Sequence, residues 1–443
     1  MFEYIKLKNY KSFKDVELNL LDRRNNPKKL ILIYGENGIG KSNIASAFFM
    51  LSETLRTMDV RDLMESLLSE NSDNVFNDVE ELKKYFQARY KDIETLINEN
   101  KTISSVEPLY MEFGFRLRGK SGRYILETNN SQIIHEQLEY TISKNRGIYF
   151  DITCNKQIIN NNIFLDKASY RSIKEACLKF WGKHSLLSIL LHESDDKSEQ
   201  YIKQSLIKNF NIVLNFFSKI SCKVKLGNSQ EQGIIGLPRE ILSNYYSGEI
   251  SIKKEKILDN TEKMLNILFK LTYQDIKKVY YKKTINNNLI HYKLFLSKMI
   301  AGKVRDIDFS LESTGTQSII QQLPFMLVAT KGAVAIIDEF DMGIHDLLLK
   351  NLITSLYNDI GGQLIITTHN TILMESNIPK ECIYVINESA ANNKEIRCIL
   401  YYNNKIGNKN NIRNQYLLGR YSGIPDNVDI NFHKLLEILT ETK

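Results

Sequence analysis

Eight consecutive residues, Gly35-Glu36-Asn37-Gly38-Ile39-Gly40-Lys41-Ser42, combine three glycines with a lysine and a hydroxyl. Glycines let a backbone bend sharply, so that successive N–H groups converge on one anion. The spacing is that of a phosphate-cradling loop, G-x-x-x-x-G-K-[ST]. Gly35, Asn37, Gly38, Gly40, Lys41, Ser42 and Asn43 are therefore expected to hold the phosphates of ATP. Lys41 should reach the β- and γ-phosphates, and the Ser42 hydroxyl should hold Mg²⁺. A second group closes the apolar run Ala333-Val334-Ala335-Ile336-Ile337 with Asp338 and Glu339. Asp338 is expected to bind Mg²⁺ through water, and Glu339 to polarise the attacking water as general base. His369 follows Ile365-Ile366-Thr367-Thr368 and is placed to contact a γ-phosphate or to order the water. Ser313 and Gly315, within Leu311-Glu312-Ser313-Thr314-Gly315-Thr316-Gln317, form a Ser-x-Gly turn opening a helix, a further anion site. Such turns are common. This one matters for its place between the phosphate loop and the acidic strand.

These side chains work only if strands and helices aim them. Leu30 to Ile33 is a continuous apolar run, as in a strand buried on both faces, directly before the loop. Ile44, Phe48, Leu51 and Leu55 recur at helical spacing directly after it. Residues 2–20 read as two strands. Leu109, Met111, Phe113, Phe115 and Leu117 occupy alternate positions of another, and Tyr124 to Leu126 and the stretch around Tyr140 extend an antiparallel sheet. Residues 155–275 carry helical periodicity, at Ile202, Leu206, Phe210, Val213 and Phe217 and again at Met264, Leu265, Leu268 and Leu271. The final third alternates short apolar strands with a Leu348, Leu352, Leu356 helical stripe, which implies a largely parallel sheet.

Composition bounds the function. The chain has 443 residues, enough for about two or three domains. Its net charge of +7 permits nucleic-acid contact without arguing for it. Five cysteines, an odd number with no CxxC pair, exclude a disulfide framework and a zinc site and suit a reducing cytoplasm. No apolar run approaches the ~18 residues of a membrane span, so a membrane partner is not expected.

Phosphate loop, Ser-x-Gly turn, strand-Asp-Glu and His, in that order, resemble the ABC ATPase superfamily. Lys41 and Ser313 stand far apart in the chain, unlike the close spacing of transporter ATPases. That gap resembles the soluble branch, with the Rad50, SMC and RecF ATPases and the overcoming-lysogenization-defect proteins. The opening Leu7-Lys8-Asn9-Tyr10-Lys11-Ser12-Phe13 is similar to that branch's first strand-turn. Glu312-Ser313-Thr314-Gly315-Thr316 and Tyr416-Leu417-Leu418-Gly419-Arg420-Tyr421-Ser422-Gly423-Ile424-Pro425 resemble the AAA15 group, which holds RloA-like and AbiLi-like ATPases and is similar to the PARIS ATPase AriA.

The resemblance implies an α/β fold: an ABC-type P-loop ATPase head, a mixed sheet with an antiparallel β-subdomain, interrupted by a mostly helical insertion. Residues 1–154 and 276–443 would form the head's two halves and 155–275 the insertion. It implies a homodimer or higher homo-oligomer in which Ser313 and Gly315 of one copy close on the γ-phosphate held by Lys41 of the other. Met342-Gly343-Ile344-His345 would cross that interface, and Lys11 would approach the phosphates. The signature departs from the transporter Leu-Ser-Gly-Gly-Gln, which argues against transport. No glutamine, Gln87 included, stands out as the family's coupling glutamine. A carboxy-terminal nuclease motif is not evident, so the resemblance points to a cytoplasmic antiphage ATPase controlling a separate effector, a nuclease or toxin. The alternative is a DNA repair or recombination ATPase of the RecF and Rad50 type.

Overall fold

The computed structural model describes residues 1–70, 91–196, 204–226, 229–233, 245–388, 393–402, 411–424 and 430–440. Gln87 lies outside them. The chain opens with β1 (Phe2–Tyr10), β2 (Phe13–Asn19) and β3 (Leu30–Tyr34), then α1 (Lys41–Thr54), α2 (Thr57–Glu70) and α3 (Ile93–Asn100). Five strands follow: β4 (Leu109–Leu117), β5 (Lys120–Thr128), β6 (Ile133–Thr141), β7 (Arg146–Thr153) and β8 (Lys156–Ile159). The middle holds α4 (Lys167–Phe180), α5 (Leu186–Asp196), α6 (Lys208–Phe217), β9 (Ser221–Leu226), β10 (Ser229–Gly233), β11 (Ser247–Ser251) and α7 (Glu255–Thr272). Then come β12 (Ile276–Asn286), β13 (Leu289–Ile300), β14 (Lys303–Asp308), α8 (Thr314–Thr330), β15 (Val334–Ile337), α9 (Asp346–Asp359), β16 (Gln363–Thr367), β17 (Ile383–Glu388), β18 (Lys394–Cys398), α10 (Ile412–Leu417) and α11 (Phe432–Thr440).

The strands form three sheets. β2-β1-β4-β5-β6-β7-β8 is antiparallel throughout, the expected β-subdomain. The central sheet runs β10-β9-β15-β16-β3-β17-β18. From β9 to β17 its neighbours are parallel, with antiparallel β10 and β18 at its edges. A third, antiparallel sheet joins β11, β13, β12 and β14.

The central sheet is apolar on both faces because each face meets a different core. Ile31 and Ile33 of β3 join α1 and the antiparallel sheet in one cluster. Leu30, Leu32 and Tyr34 point the other way, into a second cluster with α7, α8, α9 and the third sheet. The two-residue period of a strand thus divides one apolar run between two cores. Gln363, fully buried, ties the layers together. Its amide donates to the Phe2 and Lys28 carbonyls at 3.0 and 2.9 Å and accepts from the Phe2 N–H at 2.8 Å.

Helices make up most of the described part of the middle block, with short strands among them. Of these strands, β9 enters the central sheet beside β15, with Ala335, Ile336 and Ile337 opposite Ser221, Cys222 and Lys223. The strand is short, and its alternation of buried Cys222 and Val224 with lysines is brief enough to be lost between stronger helical signals. Phe210, Val213 and Phe217 of the expected stripe lie on the helix Lys208–Phe217, and Ile202 lies outside the described residues. Leu206 makes an isolated bridge to Phe164 instead.

Candidate active site

Parallel pairing brings the chemistry to one edge. Ile337 of β15 stands opposite Ile366 of β16, and Thr367 opposite Ile33 of β3, so the residues that follow each strand emerge side by side. In open parallel sheets this carboxyl edge is where ligands bind.

The loop after β3 needs its glycines. Gly35, Gly38 and Gly40 have φ of +156°, +77° and +116°, a region costly for side-chain-bearing residues. A Cβ on Gly40 would also lie 2.8 Å from the Phe13 ring. Gly40 caps α1, so the first helical N–H groups, at Lys41 and Ser42, face the loop. Lys41 is 6% exposed, and its ammonium donates to the carbonyls of Gly35 and Glu36 at 2.8 and 2.7 Å. Burial pulls it down to about 8, against the opposing pull of Asp338, Asp341, Glu339 and Glu36. Asn37 is exposed, and the Asn43 amide donates to the Ser12 hydroxyl at 2.8 Å.

Asp338 is the hub. Its carboxylate accepts from the Ser42 hydroxyl at 3.1 Å, from the Thr367 hydroxyl, and from the Lys225 N–H at 3.3 Å. Burial pushes its carboxyl up, and these donors pull it back. Glu339 has φ +51°, an uncommon backbone for a residue with a side chain. Its N–H donates to the Thr367 hydroxyl at 2.9 Å, and its carboxylate accepts from the Lys225 ammonium at 3.1 Å. The His369 N–H donates to Asp341 at 3.3 Å. Its imidazole is held below its usual range by burial first and by the Lys41 charge second.

Lys41, Ser42, Asp338, Glu339 and His369 thus come together at this edge. Ser313 and Gly315 pack against the loop that follows Glu339. Ser313 caps α8, its hydroxyl 2.8 Å from that of Thr316. Ser313 and Thr314 are exposed, and a Cβ on Gly315 would fall 2.3 Å from the Gly343 carbonyl. The signature turn and the Met342–His345 loop thus pack together, and among the described residues no hydrogen bond links that turn to the phosphate loop. Lys11, at φ +47° beside the Asn100 carbonyl, is half-buried, and burial lowers its ammonium while Glu99 and Asp338 raise it.

A hydroxyl and a carboxylate side by side, Ser42 and Asp338, are hard oxygen donors suited to Mg²⁺. Among the described residues there is no cluster of three or more His, Cys, Asp or Glu able to hold a metal.

Residues 30–375 match the family described as "AAA domain, putative AbiEii toxin, Type IV TA system". The chain belongs to that family. The family makes it a P-loop ATPase-fold protein, in agreement with the ABC-type order of its motifs. No curated protein matches it. Among solved structures, the chain is similar to the SMC head domain from Thermotoga maritima at 14% identity and TM-score 0.36, over 90% of this chain and 98% of that one. It is similar to an SMC head bound to the C-winged helix domain of ScpA at 15% and 0.43, over 89% and 96%. It is also similar to an SMC head with an extended coiled coil, bound to the C-terminal domain of ScpA derived from Pyrococcus furiosus, at 13% and 0.36, over 99% and 98%.

In this AAA-domain protein, sequence reasoning missed Thr367 and Lys225. Thr367 was visible as a hydroxyl ending an apolar strand two residues before His369. Lys225 carried no local signal, because only the β9–β15 pairing sets it level with Glu339. Among the described residues no helix is long and apolar enough to cross a membrane.

Proposed function

We propose that this chain hydrolyses ATP at sites completed by a second copy of itself, and that the cycle governs a separate effector protein, a nuclease or toxin, in a cytoplasmic antiphage (abortive-infection) system. The observation that carries the catalytic part is the Asp338 carboxylate, held between the Ser42 and Thr367 hydroxyls, with Glu339 beside it on a left-handed bend. In this reading Gly35, Asn37, Gly38, Gly40 and Asn43 shape and flank the loop whose amides, with Lys41, hold the phosphates. Ser42 and Asp338 hold Mg²⁺, which neutralises phosphate charge when bound. Glu339 takes the proton of the attacking water, and His369 orders that water. Ser313 and Gly315 of the opposite copy close on the γ-phosphate.

Pairing of two copies is supported by Leu311, Met342 and Leu347, which are 77, 55 and 61% exposed around the signature turn and its neighbouring loop. The separate effector rests on the resemblance to AAA15-type ATPases; the matched family's description names a putative toxin of a Type IV TA system. We read residues 1–154 and 276–443 as the halves of the head and 155–275 as the block between them, with β9 reaching back into the head.

Glu339→Gln tests the chemistry: it should bind ATP, cease turnover and accumulate as a dimer. Capture of the neighbouring gene product by the tagged protein, with and without ATP, tests the effector. Failure to associate in either condition, together with DNA binding that weakens steeply with salt, would favour the DNA-repair reading.

A further inference from the structure

Lys225 stands where the proposed reaction needs a cation, and nothing in the phosphate-loop, acidic-strand or signature motifs accounts for it. β9 runs parallel to β15, and the Asp338 N–H donates to the Lys223 carbonyl at 2.8 Å, which locks the register at this edge. Two residues on, the Lys225 N–H returns a hydrogen bond to the Asp338 carboxylate at 3.3 Å. One carboxylate thus receives the Lys225 backbone on one oxygen and the Ser42 hydroxyl on the other. The Lys225 backbone is fixed within a few ångströms of the residue that follows the phosphate-loop lysine.

Its side chain is not fixed in the same way. Among the described residues the ammonium pairs with Glu339 at 3.1 Å, and the lysine side chain is 46% exposed against 30% for the glutamate. An exposed pair of this kind is weak. A lysine ammonium is a mobile point charge on a flexible stem, able to exchange one anion for another within reach. A triphosphate tail carries more charge than one carboxylate, and it would lie between Lys41 and Ser42 on one side and Glu339 on the other.

We propose that Lys225 is a γ-phosphate ligand of this site, exchanging its pair with Glu339 for oxygens of the terminal phosphate and thereby releasing Glu339 to act on water. The inference rests on the reading of Glu339 as general base. It adds a cation contributed by β9, whose flank is the middle block of the chain.

The test compares a non-hydrolysable ATP analogue bearing a γ-phosphate, the β,γ-imido nucleotide, with ADP, each titrated by calorimetry with Mg²⁺ into the full-length protein. Lys225→Ala should weaken the analogue about tenfold or more, the worth of a hydrogen bond to a charged group, and leave ADP within about twofold. Lys225→Arg should restore most of the preference. Retained ADP binding shows that the variant is folded. Glu339→Gln, by removing the competing carboxylate, should tighten the analogue, and Lys225→Ala in that background should abolish the gain. An equal loss for both nucleotides, or no loss for either, overturns the proposal. The two readings fail separately: Glu339→Gln hydrolysing ATP at the wild-type rate would remove the role of Glu339, while the ratio of the two affinities would still decide that of Lys225.

Discussion

Thr367 shows how much one hydroxyl can organise. It donates to Asp338 and accepts from the Glu339 N–H, so the proposed metal-holding and water-activating carboxylates share one anchor. Thr367→Val keeps the shape and removes both bonds. It should lower turnover by about 10–100-fold, the usual cost of losing an outer partner of a metal ligand, with a raised Mg²⁺ requirement in steady-state assays. Unchanged Mg²⁺ dependence would dissociate Thr367 from the metal. Glu339→Gln should cost about 10²–10⁴-fold in turnover, the range for a general base, while ADP binding, followed by fluorescence, stays near wild type.

At the scale of elements, two junctions decide whether those residues are aimed. Gly40 joins β3 to α1 at φ +116° against the Phe13 ring. Gly40→Ala should add about 1–3 kcal/mol of backbone strain and abolish nucleotide binding, which a thermal-shift titration with ATP would report. The second junction is Glu136 in β6, fully buried, whose carboxylate accepts from Tyr124 Oη and Trp181 Nε1 at 2.9 Å each and from the Leu186 N–H at the start of α5 at 2.7 Å. Burial pushes its carboxyl up to about 7, with those donors resisting. The folded value lies above the unfolded one, so its contribution to stability is fully present below about pH 4.5 and is lost as pH rises through about 7. The loss is on the order of 3 kcal/mol. Urea unfolding at a series of pH values should show that fall, and Glu136→Gln should flatten it. An identical slope in the variant would assign the dependence to other groups.

At the scale of the whole molecule, the proposed pairing of the Ser313 turn with the phosphate loop of a second copy makes a strong demand of the cycle. If each site draws Lys41 from one copy and Ser313 from the other, Lys41→Ala and Ser313→Arg should each be inactive alone. Mixed in equal amounts they should recover about a quarter of wild-type turnover, since half the pairs are mixed and each mixed pair has one intact site of two. No recovery on mixing, with both variants shown to bind as dimers, would place the complete site within one chain.

The sequence by itself determined the phosphate loop, the acidic strand end, the histidine and the signature turn, because each is a run of adjacent residues whose spacing is set by local backbone geometry. It also determined the strand-loop-helix around Lys41 and the antiparallel stretch from Leu109, where a period of two is sustained. Only the tertiary structure decided which strand lies beside Asp338. β9 is six residues long and sits in a block dominated by helical spacing, and its place depends on pairing with a strand more than a hundred residues away. Thr367 as a shared anchor and Lys225 as partner of Glu339 follow from that register. Parallel pairing brings together residues from distant segments, and no local pattern encodes which strands will be neighbours.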